Sequence, residues 1–194
     1  MASLLLPVIY LAFISLGLPD ALLGAAWPTM YPQLGAQVSW AGGVSMIISA
    51  CTILSALASD RLNERLGTGR VTAISVATTA VALFGFSFCH AFWQLCLWAI
   101  PYGLGAGSVD AALNNYVALH YKSRHMSWLH CMWGVGASLG PVIMGQALAG
   151  SGWQGGYRII GILQVVLTVV LLFSLPLWKL PQDAMGGGPF TPQH

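Results

Sequence analysis

Residues 4–30 read LLLPVIYLAFISLGLPDALLGAAWPTM, and Asp20 is the one charged residue in this stretch. A helix needs about 20 mostly apolar residues to cross the hydrocarbon core of a bilayer, so the stretch predicts a membrane span. A carboxylic acid in the middle of a span costs roughly 2.5–3.5 kcal/mol of insertion free energy, and such residues usually serve a function. The stretch therefore predicts a membrane protein and a first candidate functional residue.

The composition of the whole chain also predicts a membrane environment. Hydrophobic residues make up 57% of the 194 residues and charged residues only 6%, whereas about a quarter of the residues of a soluble domain are charged. The mean hydropathy is +0.74. A formal net charge of +2 is too small to indicate a nucleic-acid partner.

Five further segments have the length and apolarity of a span, which predicts an all-α bundle of six transmembrane helices over residues 1–180. The six predicted segments are 4–30, 39–59, 71–89, 92–120, 127–149 and 158–178. Residues 181–194 form a predicted short polar tail. A cleavable signal peptide is not expected, because no basic region precedes the first segment and its apolar run is too long.

The basic residues predict the orientation of the bundle. One end of the predicted bundle carries six of them, namely Arg61, Arg65, Arg70, Lys122, Arg124 and Lys179, and the other end carries only Arg158. Lys and Arg accumulate in cytoplasmic loops. We therefore expect a multi-pass protein of the plasma (inner) membrane with both termini in the cytoplasm.

Metal, cofactor and enzyme chemistry have little support in the sequence. Cys51, Cys89, Cys96 and Cys131 lack the spacing of a metal site, so we expect free thiols and neither a metal nor a cofactor. An acid–base pair of His130 and Asp110 is conceivable. No nucleophile motif, metal-ligand cluster or phosphate loop accompanies it, so we do not expect an enzyme.

Asp110 is the second acid in the middle of a predicted span. A low dielectric disfavours the charged form of a carboxyl group, so Asp20 or Asp110 could hold a proton near neutral pH, as a proton-coupled carrier requires. The alternative is a neutral carboxylic acid that only joins helices by hydrogen bonds. Asn114 lies one helical turn after Asp110 and shares its face.

Three further polar or aromatic residues within spans are candidates for solute contact. His130 could bind solute or relay protons, or could bond only to a neighbouring backbone. Trp133 is three residues further on, so its indole could form a platform for a sugar ring beside His130. Gln164 could line a cavity or join two helices by a hydrogen bond.

Residues 56–70 read ALASDRLNERLGTGR, and this stretch resembles the loop signature G-x-L-a-D-R-x-G-R-K of the major facilitator superfamily. Ala56 replaces the leading glycine, and the loop is longer around Asn63 and Glu64. The resemblance implies a conformational latch formed by the loop residues Asp60, Arg61, Arg65, Gly67 and Arg70. It also implies that Asp60 lies at a helix N-terminus, where a negative charge is favourable.

Residues 110–114 read DAALN and are similar to helix 4 of fucose-permease-like proton symporters, a subgroup that also has an acid in helix 1. Residues 128–141 resemble helix 5 of that subgroup. The resemblance implies transport of a sugar or other small polar solute, coupled to protons through Asp20 and Asp110. The arginine that many members carry early in helix 4 is absent, since residues 98–101 read WAIP, so the two aspartates would carry the coupling.

The resemblance covers the chain as the first six-helix half of a transporter whose two halves share one orientation. Two copies could therefore form a parallel homodimer with the solute between them. The alternatives are a truncated fragment, a half that needs a separately encoded partner half, and a non-transporting membrane scaffold.

Overall fold

The computed structural model describes residues 4–184, with side chains to Trp178, and every regular element in this range is a helix. The helices are α1 (Leu5–Asp20), α2 (Leu22–Gln33), α3 (Trp40–Leu66), α4 (Thr68–Ser87), α5 (Phe92–His120), α6 (Ser123–Ala149) and α7 (Gly152–Ala184). Because α1 and α2 together form one span, Leu5–Gln33, residues 4–184 contain six helical segments. This arrangement confirms the predicted all-α fold.

The first segment is interrupted at Ala21, which follows Asp20 and has φ −99° and ψ 0°. Proline lacks an N–H group, so Pro19 cannot bond to the carbonyl of Ser15 four residues earlier, and the helix is weakened at this point. The interruption lies directly beside the acid that the sequence singled out.

The prediction that the second helix ends at residue 59 is wrong, because α3 continues to Leu66. Leu, Arg and Glu favour helices, and the chain turns only at Gly67, whose φ of +84° suits a residue without a side chain. Asp60 therefore lies in the last two turns of α3 and not at a helix N-terminus. Gly67 occupies that position for α4, which has no side-chain cap.

The boundaries of the last two helices also differ from the prediction. Helix α6 begins at Ser123 and α7 at Gly152, and α7 continues to Ala184. Residues 181–184 of the predicted tail are therefore helical, and residues 185–194 lie outside the described range.

Five of the six helical segments have the length and hydropathy of a membrane span, and α5 does not reach the same hydropathy. The 29 residues of α5 would still extend about 44 Å as an α-helix, which is ample for a bilayer. Its mean hydropathy is lowered by Asp110, Asn114, Asn115 and several glycines. Many of the other α5 residues are buried against neighbouring helices, as expected for a central helix.

Close backbone contacts hold the helices together. Helix α1 packs mainly on α6, α3 on α5, and α4 on both α5 and α7. A side chain at Gly136 or Gly140 of α6 would collide with the α1 backbone, and one at Gly103 or Gly107 of α5 would collide with α3. Small residues at these positions allow helices to approach closely, as they do in other membrane bundles.

Two buried apolar clusters lie toward opposite ends of the bundle, one around Trp153 and one around Leu113. Asp20 lies between the two clusters along the first segment, since Leu16 belongs to the cluster around Leu113 and Leu22 to the cluster around Trp153. In their apolar stretches, only 17% of the residues of α3 and 22% of those of α6 are buried, against 67% in α4. Helices α3 and α6 thus leave most of their surface for lipid or for another protein.

Candidate functional site

Asp20, Asp110, His130 and Trp133 line one cleft of about 390 Å³, which we call the acidic cleft. Helices α1, α3, α5 and α6 supply its walls. The remaining lining residues are Phe13, Leu16, Ile48, Thr52 and Ala106. Four of the candidates, from three separate parts of the sequence, therefore meet in one place.

The Asp20 carboxyl group accepts hydrogen bonds from two other helices. The Tyr102 hydroxyl on α5 donates to Oδ1 at 2.7 Å, and the Trp133 indole Nε1 on α6 donates to Oδ2 at 2.9 Å. Tyr102 is only 4% exposed, whereas Trp133 is 40% exposed. Asp20 thus links three helices at the point where α1 is interrupted.

Asp110 is paired within its own helix. The Asn114 side-chain Nδ2 donates to Asp110 Oδ1 at 2.9 Å and to the Asp110 carbonyl at 2.8 Å. The prediction that Asn114 and Asp110 share a helix face is confirmed. Asp110 itself is exposed and lines the acidic cleft.

Gln164 does not line the acidic cleft. It is 2% exposed, and its Nε2 donates to the Ser15 carbonyl on α1 at 2.6 Å. That carbonyl is the one that Pro19 leaves without its helical donor. Gln164 therefore satisfies a buried backbone group, which is the interhelical alternative left open by the sequence.

Asp20 also lines a second, larger cleft of about 680 Å³. Its wall includes residues of α1 and α2 between Pro19 and Ala25, and residues of α3 between Ala41 and Ser49. Tyr102 and Tyr157 also line it. The acidic cleft uses earlier residues of α1 and later residues of α3, so the two clefts follow each other along the bundle. Asp20 and Ile48 line both.

Both clefts lack a fixed positive charge. Among the described residues that line them, none is Lys or Arg, and His130 is the only titratable base. The acidic groups that these clefts offer to a solute are therefore the two carboxyl groups. Hydroxyl, imidazole and indole groups add hydrogen-bonding positions.

The residues predicted to form the latch are placed at the α3–α4 turn and not in either cleft. Asp60, Arg61 and Arg65 are exposed near the C-terminus of α3, Gly67 forms the turn, and Arg70 is exposed in the first turn of α4. Among residues 4–184, no group of three or more His, Cys, Asp or Glu side chains could hold a metal ion.

Tyr102 and Thr52 are site residues that sequence reasoning missed. Nothing in the local pattern around Tyr102 distinguishes it from a core aromatic residue, because its partner Asp20 is 82 positions away. The one available signal was its position between Pro101 and Gly103 in the polar helix that also carries Asp110.

A family model described as Major Facilitator Superfamily matches residues 9–192. The chain belongs to this superfamily. Members of the superfamily are transporters of small solutes, so the chain is a transporter-family membrane protein and not an enzyme. The fold agrees with one half of the major facilitator fold.

Two curated transport proteins are similar in sequence. A 4-hydroxybenzoate transporter of Pseudomonas aeruginosa is 29% identical over 169 residues, which are 82% of this chain and 37% of the relative. A cis,cis-muconate transport protein of Acinetobacter baylyi is 26% identical over 117 residues, or 58% of this chain and 28% of the relative. The matched parts thus span about a third of the length of these relatives.

Proposed function

We propose that the chain is one half of a secondary transporter that moves a sugar or another small polar solute by alternating access. Proton coupling runs through Asp20 and Asp110. Asn114, His130 and Trp133 contact the solute, and the α3–α4 turn acts as the latch. The proposal retains the resemblance to fucose-permease-like symporters.

The observation that carries the proposal is that both acids line one cleft. Ionisable groups inside a membrane bundle are rare and usually mark a solute or proton pathway. Since Asp20 also lines the second cleft, a proton on its carboxyl group could exchange with either cleft as the bundle rocks.

The chemistry of the acidic cleft favours a neutral polar solute. Carboxyl groups accept hydrogen bonds from hydroxyls, and the exposed face of Trp133 suits the apolar face of a sugar ring. An anionic solute would meet two acids and no fixed cation on this half of the site.

Transport of an organic acid is the second candidate, because the named solutes of the two curated relatives are 4-hydroxybenzoate and cis,cis-muconate. Both solutes are carboxylates at neutral pH. A carrier of this kind would need a basic group from the second half of the site, since neither cleft has a lining Lys or Arg.

The second half is supplied by a second copy in the arrangement that we favour. The two sparsely buried helices, α3 and α6, flank the acidic cleft, so a parallel homodimer would enclose it. A separately encoded half would do the same. The excess of Lys and Arg at the α3–α4 end supports an orientation with that end and both termini in the cytoplasm, and the membrane that we propose is the plasma membrane.

Uptake into proteoliposomes with an inward proton gradient tests the proposal. We expect one of a panel of labelled monosaccharides, including fucose and glucose, to accumulate above protein-free vesicles, and 4-hydroxybenzoate to remain at background. Accumulation of 4-hydroxybenzoate alone would replace the sugar hypothesis with the second candidate. No accumulation of any solute by an intact dimer would favour the scaffold alternative.

A further inference from the structure

A separate cleft of about 550 Å³ lies at the α3–α4 turn and shares no lining residue with the acidic cleft. We call it the turn cleft. It lies at the end of the bundle that carries most of the basic residues. Its lining residues are Leu66, Gly67, Thr68, Gly69, Arg70, Tyr116, Leu175, Pro176 and Trp178.

The N-terminus of α4 forms one wall of the turn cleft. The first backbone bond of this helix runs from the Val71 N–H to the Gly67 carbonyl, so the N–H groups of residues 68–70 have no acceptor within the helix. No side chain caps them. Free N–H groups and the positive end of the helix dipole together favour an anion at this position.

Tyr116 provides an independent indication of a ligand. It lines the turn cleft from α5 and is 3% exposed, yet its hydroxyl has no hydrogen-bond partner within the described part of the chain. Buried polar groups in native proteins are almost always paired, so an unpaired hydroxyl calls for a missing partner. The hydroxyl has almost no accessible surface, so the Tyr116 ring would have to turn toward the α4 N-terminus to donate this hydrogen bond to an anion bound there.

The charge at this end of the bundle favours the same kind of ligand. Arg70 lines the turn cleft, and the exposed Arg61, Arg65, Lys122 and Arg124 lie at the same end. The exposed acids Asp60 and Glu64 also lie there but do not line the cleft. Guanidinium, hydroxyl and backbone N–H donors in one place match the several acceptor oxygens of a phosphate group.

We propose that the turn cleft binds a phosphate group, either on a phospholipid headgroup or as free phosphate. The α4 N–H groups, the Arg70 guanidinium and the Tyr116 hydroxyl donate to its oxygen atoms. Gly69 packs directly on the Trp178 ring, so the bound anion would also fix the contact between α4 and α7. Binding there does not depend on which solute the acidic cleft takes.

Two binding measurements on the full chain in dodecyl maltoside, which contains no phosphate, test the proposal. In the first, phosphatidylglycerol is titrated and bound lipids are counted by native mass spectrometry. In the second, inorganic phosphate is titrated against equimolar chloride while thermal stability is followed. If the lipid binds but inorganic phosphate does not change the thermal stability, the site recognises a lipid headgroup. If inorganic phosphate stabilises the protein and also displaces the lipid, the phosphate group alone is sufficient for binding.

The variants Arg70→Gln and Tyr116→Phe separate specific binding from general attraction to a basic surface. We expect Arg70→Gln to weaken binding of the first lipid or phosphate about tenfold, and Tyr116→Phe to weaken it roughly threefold. The matched controls are Arg65→Gln and Tyr121→Phe, because both residues lie nearby but do not line the turn cleft. Tyr116→Phe removes a single oxygen atom, and an unchanged circular dichroism spectrum verifies its fold.

Equal weakening by the control variants would overturn the proposal, since it would mean unspecific charge attraction. The absence of saturable binding of both phosphatidylglycerol and phosphate to the intact chain would also overturn it. Neither result bears on solute uptake, so failure of the turn cleft and failure of the transport proposal are distinguishable.

Discussion

Pro19 and Gln164 illustrate how single residues position the acidic cleft. Pro19 leaves the Ser15 carbonyl without its helical donor, and Gln164 on α7 supplies a replacement at 2.6 Å. The sequence indicated that Gln164 joins helices or lines a cavity, but it could not name the partner. That choice depends on how α1 packs on α7, which no local pattern determines.

Replacement of Gln164 by Leu should lower the free energy of unfolding by about 1–3 kcal/mol, because a buried carbonyl loses its partner. Thermal unfolding of the purified chain in detergent measures the effect. Gln146→Leu is the matched control, since Gln146 is exposed on α6 and its loss should change stability little. Equal melting temperatures for Gln164→Leu and the unsubstituted chain would contradict the assigned role.

The residues of the acidic cleft differ in how far the sequence could predict them. Asp20 and Asp110 are conspicuous because acids are rare in spans, and the pairing of Asp110 with Asn114 follows from helical spacing and is confirmed. The two donors to Asp20 come from α5 and α6. Their contact depends on tertiary packing, and so Tyr102 was not foreseen.

Helix lengths and helix contacts are the features that decide the shape of the bundle. Hydropathy located all six segments, because apolar runs mark spans whatever their partners. It could not locate the end of α3, since the polar residues 59–66 favour a helix as strongly as a loop. Which helices approach closely at small residues is seen only in the structure, where Gly136 and Gly140 of α6 pack on the α1 backbone.

The contact between α1 and α6 should be sensitive to any added side chain. Gly140→Ala places a methyl group against the Leu18 carbonyl, so we expect the melting temperature of the purified chain to fall, by an amount equivalent to about 1–3 kcal/mol. Gly145→Ala on the same helix has open space around it. Because alanine favours a helix over glycine, this control should be neutral or slightly stabilising, and an equal loss in both variants would contradict the packing.

At the scale of the whole molecule, the membership in the superfamily and the six-segment bundle follow from composition, hydropathy and the family model. These features do not determine what covers the exposed sides of α3 and α6. Lipid and a second transporter half would both pack on the same apolar surface. The acidic cleft lies between these sides. Its closure therefore depends on what occupies the other side.

The homodimer predicts a mass that can be measured directly. In a lipid nanodisc the protein should have twice the mass of the 20.5 kDa chain, because the acidic cleft is open until a second bundle covers it. Native mass spectrometry or mass photometry reports this value. A single-copy mass would contradict the homodimer and favour a separate or covalently attached second half.

Proton uptake coupled to solute entry is the most direct measurement of the function assigned to Asp20 and Asp110. In proteoliposomes that accumulate a solute, addition of that solute should remove protons from the external medium. Asp110→Asn and Asp20→Asn should abolish this signal, because an amide has nearly the same volume but cannot titrate. Glu64→Gln, an exposed acid outside both clefts and not among the latch residues, should retain it. Undiminished solute-coupled proton uptake in both Asp20→Asn and Asp110→Asn would contradict the assignment.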